Sequence, residues 1–335
     1  MHPPDRPRFT VTQAGTVRHI PLAPHQMTAR ITPAPEVFTL AHFALIRIAP
    51  VDWFLRVEGL VERPLRLGLE DLARFPHATI EAVHQCAGNP LAPHVPTRRV
   101  AAVVWGGVRL ADLLAAAKPA PDAKFVWSDG ADAGEFGGAS AEFFRKDLPL
   151  GRVAEDVLLA TELNGAPLTD QHGAPVRLVV PGFYGTNSVK WLWRLTLADR
   201  RADALFTTRF YNDTLAGGSQ SPVWALGPDS IIVHPAPGTR IAGATEISGW
   251  AWADRPLESV EVSCETGHCE PGRWEQAELE PRRARTWQRW RHLWRPRQPG
   301  PATLRCRARD SAGTAQPEAG ARNAWHTVKL PAIAP

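Results

Sequence analysis

At 335 residues, with 44% hydrophobic and 21% charged positions, the chain has the composition of a globular protein and the length for two domains with separate cores. A net charge of +4 provides no clustered basic face for a phosphate backbone, and no apolar run approaches the roughly 20 residues that a transmembrane helix needs. Neither nucleic acid nor a membrane is therefore an expected partner. Four cysteines (Cys86, Cys264, Cys269 and Cys306) are too few for a disulfide framework and are judged singly. The opening MHPPDRPRFTVTQ carries neither an apolar signal core nor a twin-arginine pair. As given, the chain is expected in the cytoplasm, or in the periplasm if a signal peptide was removed.

Residues 1–30 are proline-rich and polar with little periodicity, and read as an irregular lead-in wrapping over the domain that follows. Regular structure is expected from Val51. DWFLRVEGLV alternates like a strand, and LGLEDLARFP turns into a short helix. ATIEAVHQC is a second strand, with Cys86 just past its end. VRLADLLAAA is a short amphipathic helix entered from a Gly106-Gly107 turn. KFVWSDG, VLLATELNG and VRLVVPG are further strands, each stopped by glycine. Strands and short helices interleave without a strict βαβ rhythm, so residues 31–225 are expected to form a mixed α+β domain. The stretch from Asp203 to Gly243 is turn-rich and reads as a connector. Within residues 226–335, TEISGWAWA, LESVEVSCE, WQRWRHLW, ATLRCRARD and AWHTVKL are five strands at regular spacing, the pattern of an immunoglobulin-type β-sandwich.

Two segments carry chemistry. In Val83-His84-Gln85-Cys86-Ala87-Gly88-Asn89 a cysteine stands at a strand end before a Gly-Asn turn. Turn amides near the sulfur favour the thiolate that binds soft metals, while a buried structural cysteine is the commoner fate of a lone thiol. The residues alone leave both open. In HGAPVRLVVPGFYGTNSVKWLWR, His172 and Arg177 flank a strand that ends in a glycine-rich loop, and Ser188 and Lys190 follow it. Glycines let backbone N–H groups approach an anion and the cations supply charge, which suits a phosphate-bearing cofactor. A strand–turn–strand with surface cations fits the same residues.

Together these segments resemble one family. HQCAGN is similar to the segment carrying the molybdenum-ligating cysteine of sulfite oxidases and of the molybdenum domain of plant nitrate reductase. GAPLTDQHGAPVRLVVPGFYGTNSVKWLWRL resembles their cofactor-binding stretch. TPAPEVFTLAHF with IAPVDWFLRVEGLV resembles their opening segment. GWAWADRPLESVEVS, WQRWRHLW and NAWHTVKL resemble their immunoglobulin-like dimerisation domain. The resemblance covers roughly residues 30 to 330.

It implies an α+β, sulfite-oxidase-type molybdopterin-binding domain followed by an immunoglobulin-like sandwich. It also implies a single molybdopterin bearing molybdenum, with the sulfur of Cys86 as protein ligand. By the same resemblance His42, Asp132, His172, Arg177, Ser188 and Lys190 contact the pterin or its phosphate. Tyr211 falls where the family places an active-site tyrosine, a phenol able to bond the reacting oxygen and assist proton movement. The implied activity is oxygen-atom transfer, with sulfite as the default small-molecule substrate and a homodimer as the assembly. No haem, flavin or nucleotide motif is present, so electrons would pass to a separate acceptor such as a cytochrome.

The departures bear on substrate. Leu40 and Ala41 stand where relatives have arginine and asparagine, Pro90-Leu91 replace arginines after QCAGN, and Asn187 replaces a cofactor-binding arginine. A sulfite dianion needs fixed positive charge, which Arg98, Arg99 or Arg209 would have to restore. Two alternatives follow: the same cofactor acting on a less anionic substrate such as an S- or N-oxide, or a non-catalytic, cofactor-bearing subunit that binds a partner. Cys264-Glu265-Thr266-Gly267-His268-Cys269 reads as a hairpin disulfide or loop thiols rather than a zinc site, which would need four ligands. RRARTWQRWRHLWRPR mixes Arg and Trp as single-strand-binding surfaces do, but reads better as strand residues with outward arginines.

Overall fold

A computed structural model describes residues 6–89, 95, 98–215, 217–266, 273–296 and 298–334. The chain forms two compact units of non-contiguous segments: residues 1–19, 38–81 and 103–224 in the first, and 20–37, 82–102 and 225–335 in the second. Segments 20–37 and 82–102, read from sequence as part of what precedes residue 226, thus cluster with the C-terminal segment. No described helix is long and apolar enough to cross a membrane.

The first unit is mostly sheet. One sheet orders Arg145–Pro149, Phe125–Gly130, Leu192–Ala198, Leu55–Gly59 and Leu65–Leu67, with the third and fourth strands parallel and the other pairs antiparallel. A second orders Ala166–Pro167, Leu158–Leu163, Val100–Arg109 and His77–Gln85, residues 82–85 and 100–102 of the last two strands counting with the second unit, and Arg177–Val179 also pairs with Leu158–Leu163. Alternation drives the packing: Leu55, Val57, Val126, Leu195 and Leu197 are all within 1% of full burial. The helix Leu110–Ala117 adds Leu110, Leu113, Leu114 and Ala117, apolar at the i, i+3, i+4, i+7 spacing. The helices are short, spanning Leu69–Leu72, Leu110–Ala117 and Leu150–Asp156, so the α share is smaller than the mixed α+β expectation suggests.

The chain departs from the sequence expectation in three places. Gly106 and Gly107 form no turn; they lie within Val100–Arg109. A Cβ on Gly107 would come within 2.1 Å of the Leu159 carbonyl oxygen, so glycine there permits close strand pairing rather than a bend. The lead-in is not irregular throughout, since Thr10–Ala14 pairs with Ala44–Arg47 and Val17–His19 pairs with Thr39–Ala41. Every residue of Thr10–Ala14 is exposed, which removes the alternation that reveals a strand. Finally, the expected connector contains the strand Asp229–His234, paired with Thr245–Trp252.

In the second unit all five expected strands form. One sheet orders Asp229–His234, Thr245–Trp252, Gln288–Trp294 and Glu278–Leu279. The other orders Ile241–Ala242, His326–Ala334, Gly300–Asp310, Leu257–Thr266 and Trp274–Gln276. Ile232, Ile247 and Trp290 of the first meet Val260, Val262, Leu304 and Val328 of the second in one core. Trp287, Trp290 and Trp294 are buried, while Arg289 and Arg291 approach Glu246 and Glu278, as a strand with outward arginines requires. Trp250 and Trp287 stack at 5.0 Å and donate to the carbonyls of Met27 and Arg30, pinning segment 20–37. Cys86, Cys264 and Cys306 are free thiols, and Cys264 lies in the strand Leu257–Thr266 rather than in a loop; the rest of its motif from residue 267, Cys269 included, lies outside the described residues, as do Pro90 and Leu91.

Candidate functional site

In the first unit, the strands Thr39–Ala41 and Ala44–Arg47 bracket His42 and hold its half-buried imidazole. Its Nε2 lies 2.5 Å from the Tyr211 hydroxyl. The rings of Phe136, Phe206 and Phe144 stand around it, with centroids 4.4, 5.2 and 6.1 Å away. Burial, then the charges of Lys190 and Arg18, push the His42 pKa down to about 4. The ring is therefore neutral near pH 7, with one nitrogen able to accept a proton.

Tyr211 follows a π-type turn over Leu205–Arg209 and takes φ +61°, a left-handed backbone rare for an aromatic residue. The buried Lys146 ammonium sits 5.4 Å from its ring centroid and donates to the Phe206 carbonyl at 2.8 Å. Burial lowers the Lys146 pKa to about 8, against the pull of Asp147.

Arg177 is 3% exposed. Its Nη1 and Nη2 donate to the carbonyls of His172 (3.0 Å) and Ser188 (2.9 Å), and the guanidinium lies 4.8 Å from the Trp105 ring centroid. Its Nε has no hydrogen-bond partner among the described residues. Burial lowers its pKa to about 9, and no carboxylate among the described residues offsets this. A buried cation without a counter-charge is costly, so this one suits an anion bound beside it.

Lys190 donates to the carbonyls of Leu40 (3.0 Å) and Gln171 (3.3 Å). Burial first and the Arg177 charge second lower its pKa, while Asp132 opposes them. Burial chiefly raises the pKa of Asp132, against the pull of Lys190. The ring of His172 approaches Thr169 Oγ1 at 2.9 Å, and the Ser188 hydroxyl accepts the Val180 N–H at 3.1 Å. The structure thus links His42, Tyr211, Asp132, His172, Arg177, Ser188 and Lys190 by hydrogen bonds or mutual charge within one unit. Asn187 is turned inward, its amide donating to the carbonyls of Tyr184 and Val223, both at 3.0 Å.

Cys86 belongs to the second unit and is buried at the end of His77–Gln85. The Gly88 N–H points at its sulfur from 3.4 Å and the Arg99 guanidinium from 3.8 Å. Both donors suit a sulfur carrying negative charge. Gln85 and Asn89, either side of Cys86, both donate to the fully buried Asp229, at 2.8 and 3.0 Å. Burial raises the pKa of Asp229 to about 6, with Arg98 opposing.

Of the arginines named as replacements, Arg98 is buried and donates to the Val95 carbonyl, and Arg209 donates to the Gly137 carbonyl. Arg99 alone of the three aims at an expected site residue. Sequence reasoning missed the phenylalanines around His42, Lys146 and Asp229. The dense aromatic content of residues 136–144 and 206–211 was the available signal for the first; Lys146 and Asp229 carried none.

A model of the oxidoreductase molybdopterin binding domain matches residues 42–206. Chicken sulfite oxidase (Gallus gallus) is 30% identical over 367 residues, covering 97% of this chain and 78% of that protein. Rat mitochondrial sulfite oxidase (Rattus norvegicus) is 31% identical over 347 residues, covering 90% of this chain but only 62% of the rat protein's length. Among solved structures, the sulfane dehydrogenase SoxCD from Paracoccus pantotrophus superposes with a TM-score of 0.79 at 27% identity, over 94% of this chain and 88% of that one.

The matched domain and these relatives define a molybdopterin-binding oxidoreductase. More narrowly, the chain belongs to the sulfite oxidase family. The family's cofactor is molybdenum on a molybdopterin, and the residues present fit it. Arg177 is a buried cation with a spare donor for an anionic arm, and Cys86 is a buried thiol with two donors on its sulfur. Among the described residues no group of three or more His, Cys, Asp and Glu could hold a metal by itself.

Proposed function

We propose that the chain oxidises sulfite to sulfate by oxygen-atom transfer and passes two electrons, one at a time, to a separate acceptor. The balance is sulfite plus water to sulfate, two protons and two electrons. The molybdenum cofactor, when bound, supplies the two-electron transfer of the oxygen atom. Arg177 and Lys190 would neutralise its anionic arm, with His172, Ser188 and Asp132 fixing those two side chains. Cys86 would furnish the thiolate ligand.

The observation that carries the reading is the 2.5 Å contact between the Tyr211 hydroxyl and His42 Nε2. A neutral imidazole there accepts the phenol's hydrogen bond at Nε2 and holds the hydroxyl in one orientation. Sulfite-dependent dye reduction with molybdenum analysis of wild-type, Cys86→Ser and Tyr211→Phe proteins tests this. Molybdenum near one per chain, with turnover that both variants abolish or cripple, supports it; molybdenum without sulfite turnover rejects sulfite as substrate.

A second reading keeps the cofactor but takes a less anionic substrate, such as an S- or N-oxide or the sulfane sulfur named for the Paracoccus structure. The aromatic wall around His42 favours it: three phenylalanines stand there, and the nearby Arg209 is engaged with Gly137. Dye-coupled sulfoxide reduction set against sulfite oxidation separates the two. By the same family reading the second unit is immunoglobulin-like and dimerises, which light scattering at twice the chain mass would bear out.

A further inference from the structure

We propose that Asp229 is a positioning residue for Cys86, holding both ends of the cysteine-bearing turn Gln85–Asn89 through a single carboxylate. This rests on the reading of Cys86 as the metal thiolate, but its geometry stands apart from any substrate.

Asp229 is 0% exposed and opens the strand Asp229–His234. Its Oδ2 accepts the Gln85 amide at 2.8 Å and the Asn89 amide at 3.0 Å. Its Oδ1 accepts the Ser230 N–H at 2.9 Å and the Gln316 amide at 3.1 Å. Four donors thus occupy the four acceptor sites of one carboxylate. The two turn residues make further hydrogen bonds of their own. Gln85 also donates to Asn323 Oδ1 and accepts from Trp252 Nε1, both at 2.8 Å, and Asn89 Oδ1 accepts the Arg99 N–H at 3.0 Å. Arg99 is the residue whose guanidinium points at the Cys86 sulfur. Asp229 therefore governs the turn directly through Gln85 and Asn89, and the sulfur's cationic neighbour through Asn89. The charge of Arg98 also acts on this buried carboxylate.

Asp229→Asn is nearly isosteric, yet it must turn an NH2 group toward two donors on one side. One pair of contacts becomes donor against donor, and a carboxylate that was fully satisfied is replaced by a mismatched amide. The readout is alkylation of Cys86 by iodoacetamide in metal-free full-length protein, resolved by peptide mass spectrometry, with Cys264 as internal control. Asp229→Asn is expected to raise the Cys86 rate about tenfold over wild type while Cys264 stays within twofold. In molybdenum-loaded protein it shifts the thiolate-to-metal charge-transfer absorption. Asn89→Ala, which cuts one of the two ties, produces a smaller rise and serves if Asp229→Asn does not fold. An unchanged Cys86 rate in a folded variant, or equal rises at Cys86 and Cys264, overturns the proposal. Loss of sulfite turnover in wild type would sink the substrate reading and leave this one standing.

Discussion

A Cβ on Gly173 would lie 2.8 Å from the Cβ of Lys190 and 3.0 Å from its Cα. Gly173 has φ +96° at the end of the turn Asp170–His172, so both its backbone and its missing side chain are needed where the lysine passes. Gly173→Ala should cost about 1–3 kcal/mol in strain and overpacking. Chemical denaturation would measure it, and molybdenum content would fall in step because Lys190 is displaced. A variant as stable and as fully loaded as wild type would refute the packing argument.

Arg177 spans two carbonyls, those of His172 and Ser188, with a planar fork that lysine cannot reproduce. Arg177→Lys keeps the charge and leaves at least one buried carbonyl unpartnered, at about 1–3 kcal/mol. Cofactor content per chain is the measurement, and it should drop although the net charge is unchanged. Equal loading in the two proteins would mean that charge alone, and not the fork, holds the anion.

How much of this was legible in the sequence depended on how local each cause is. The strand ending at Cys86 was legible because alternation in ATIEAVHQ and the Gly-Asn stop are written within a dozen residues. Arg177 and Lys190 were legible as cations around glycines for the same reason. Asp229 was not. In GPDS it looks like a turn residue, and its donors Gln85, Asn89 and Gln316 lie 144, 140 and 87 positions away. Gly106-Gly107 misled for a related reason, because the carbonyl of Leu159 that demands a missing Cβ comes from a strand 52 residues on from Gly107.

His42 should make the protein acid-sensitive. Its folded pKa of about 4 is below the unfolded value of 6.5, so between those values the unfolded state binds more protons. Stability then rises with pH across that window and falls as pH drops from 6.5 toward 4, with a slope of at most ~1.4 kcal/mol per pH unit from this one group. The buried His326, also pushed down by burial, adds a slope of the same sign. Comparing wild type with His42→Gln by denaturation at pH 4.5, 5.5 and 7 isolates the His42 share. Identical pH slopes in the two proteins would show that His42 is not held neutral by its surroundings.

Arg209 decides between two uses of a positive charge. Its guanidinium donates to the Gly137 carbonyl at 2.9 Å and lies 5.4 Å from the Phe210 ring centroid. Gly137 is the tip of the hairpin formed by Gly134–Phe136 and Ala139–Ala141, and a Cβ there would collide with the Phe210 ring at 2.3 Å. Arg209 and Phe210 thus clamp the hairpin whose Phe136 packs on His42. If clamping is its role, Arg209→Ala should increase proteolytic nicking within residues 134–141 and leave the KM for sulfite within about threefold, since an exposed, already engaged cation contributes little to anion binding. If Arg209 instead replaces the missing family arginine, the KM should rise tenfold or more with the hairpin unaffected, because loss of a charged hydrogen bond to an anion is worth about 1.5–3 kcal/mol. Lys in place of Arg separates the outcomes further: it keeps the charge for an anion but loses the rigid fork, so a rescued KM would assign Arg209 to substrate and a persistent nicking defect would assign it to the hairpin.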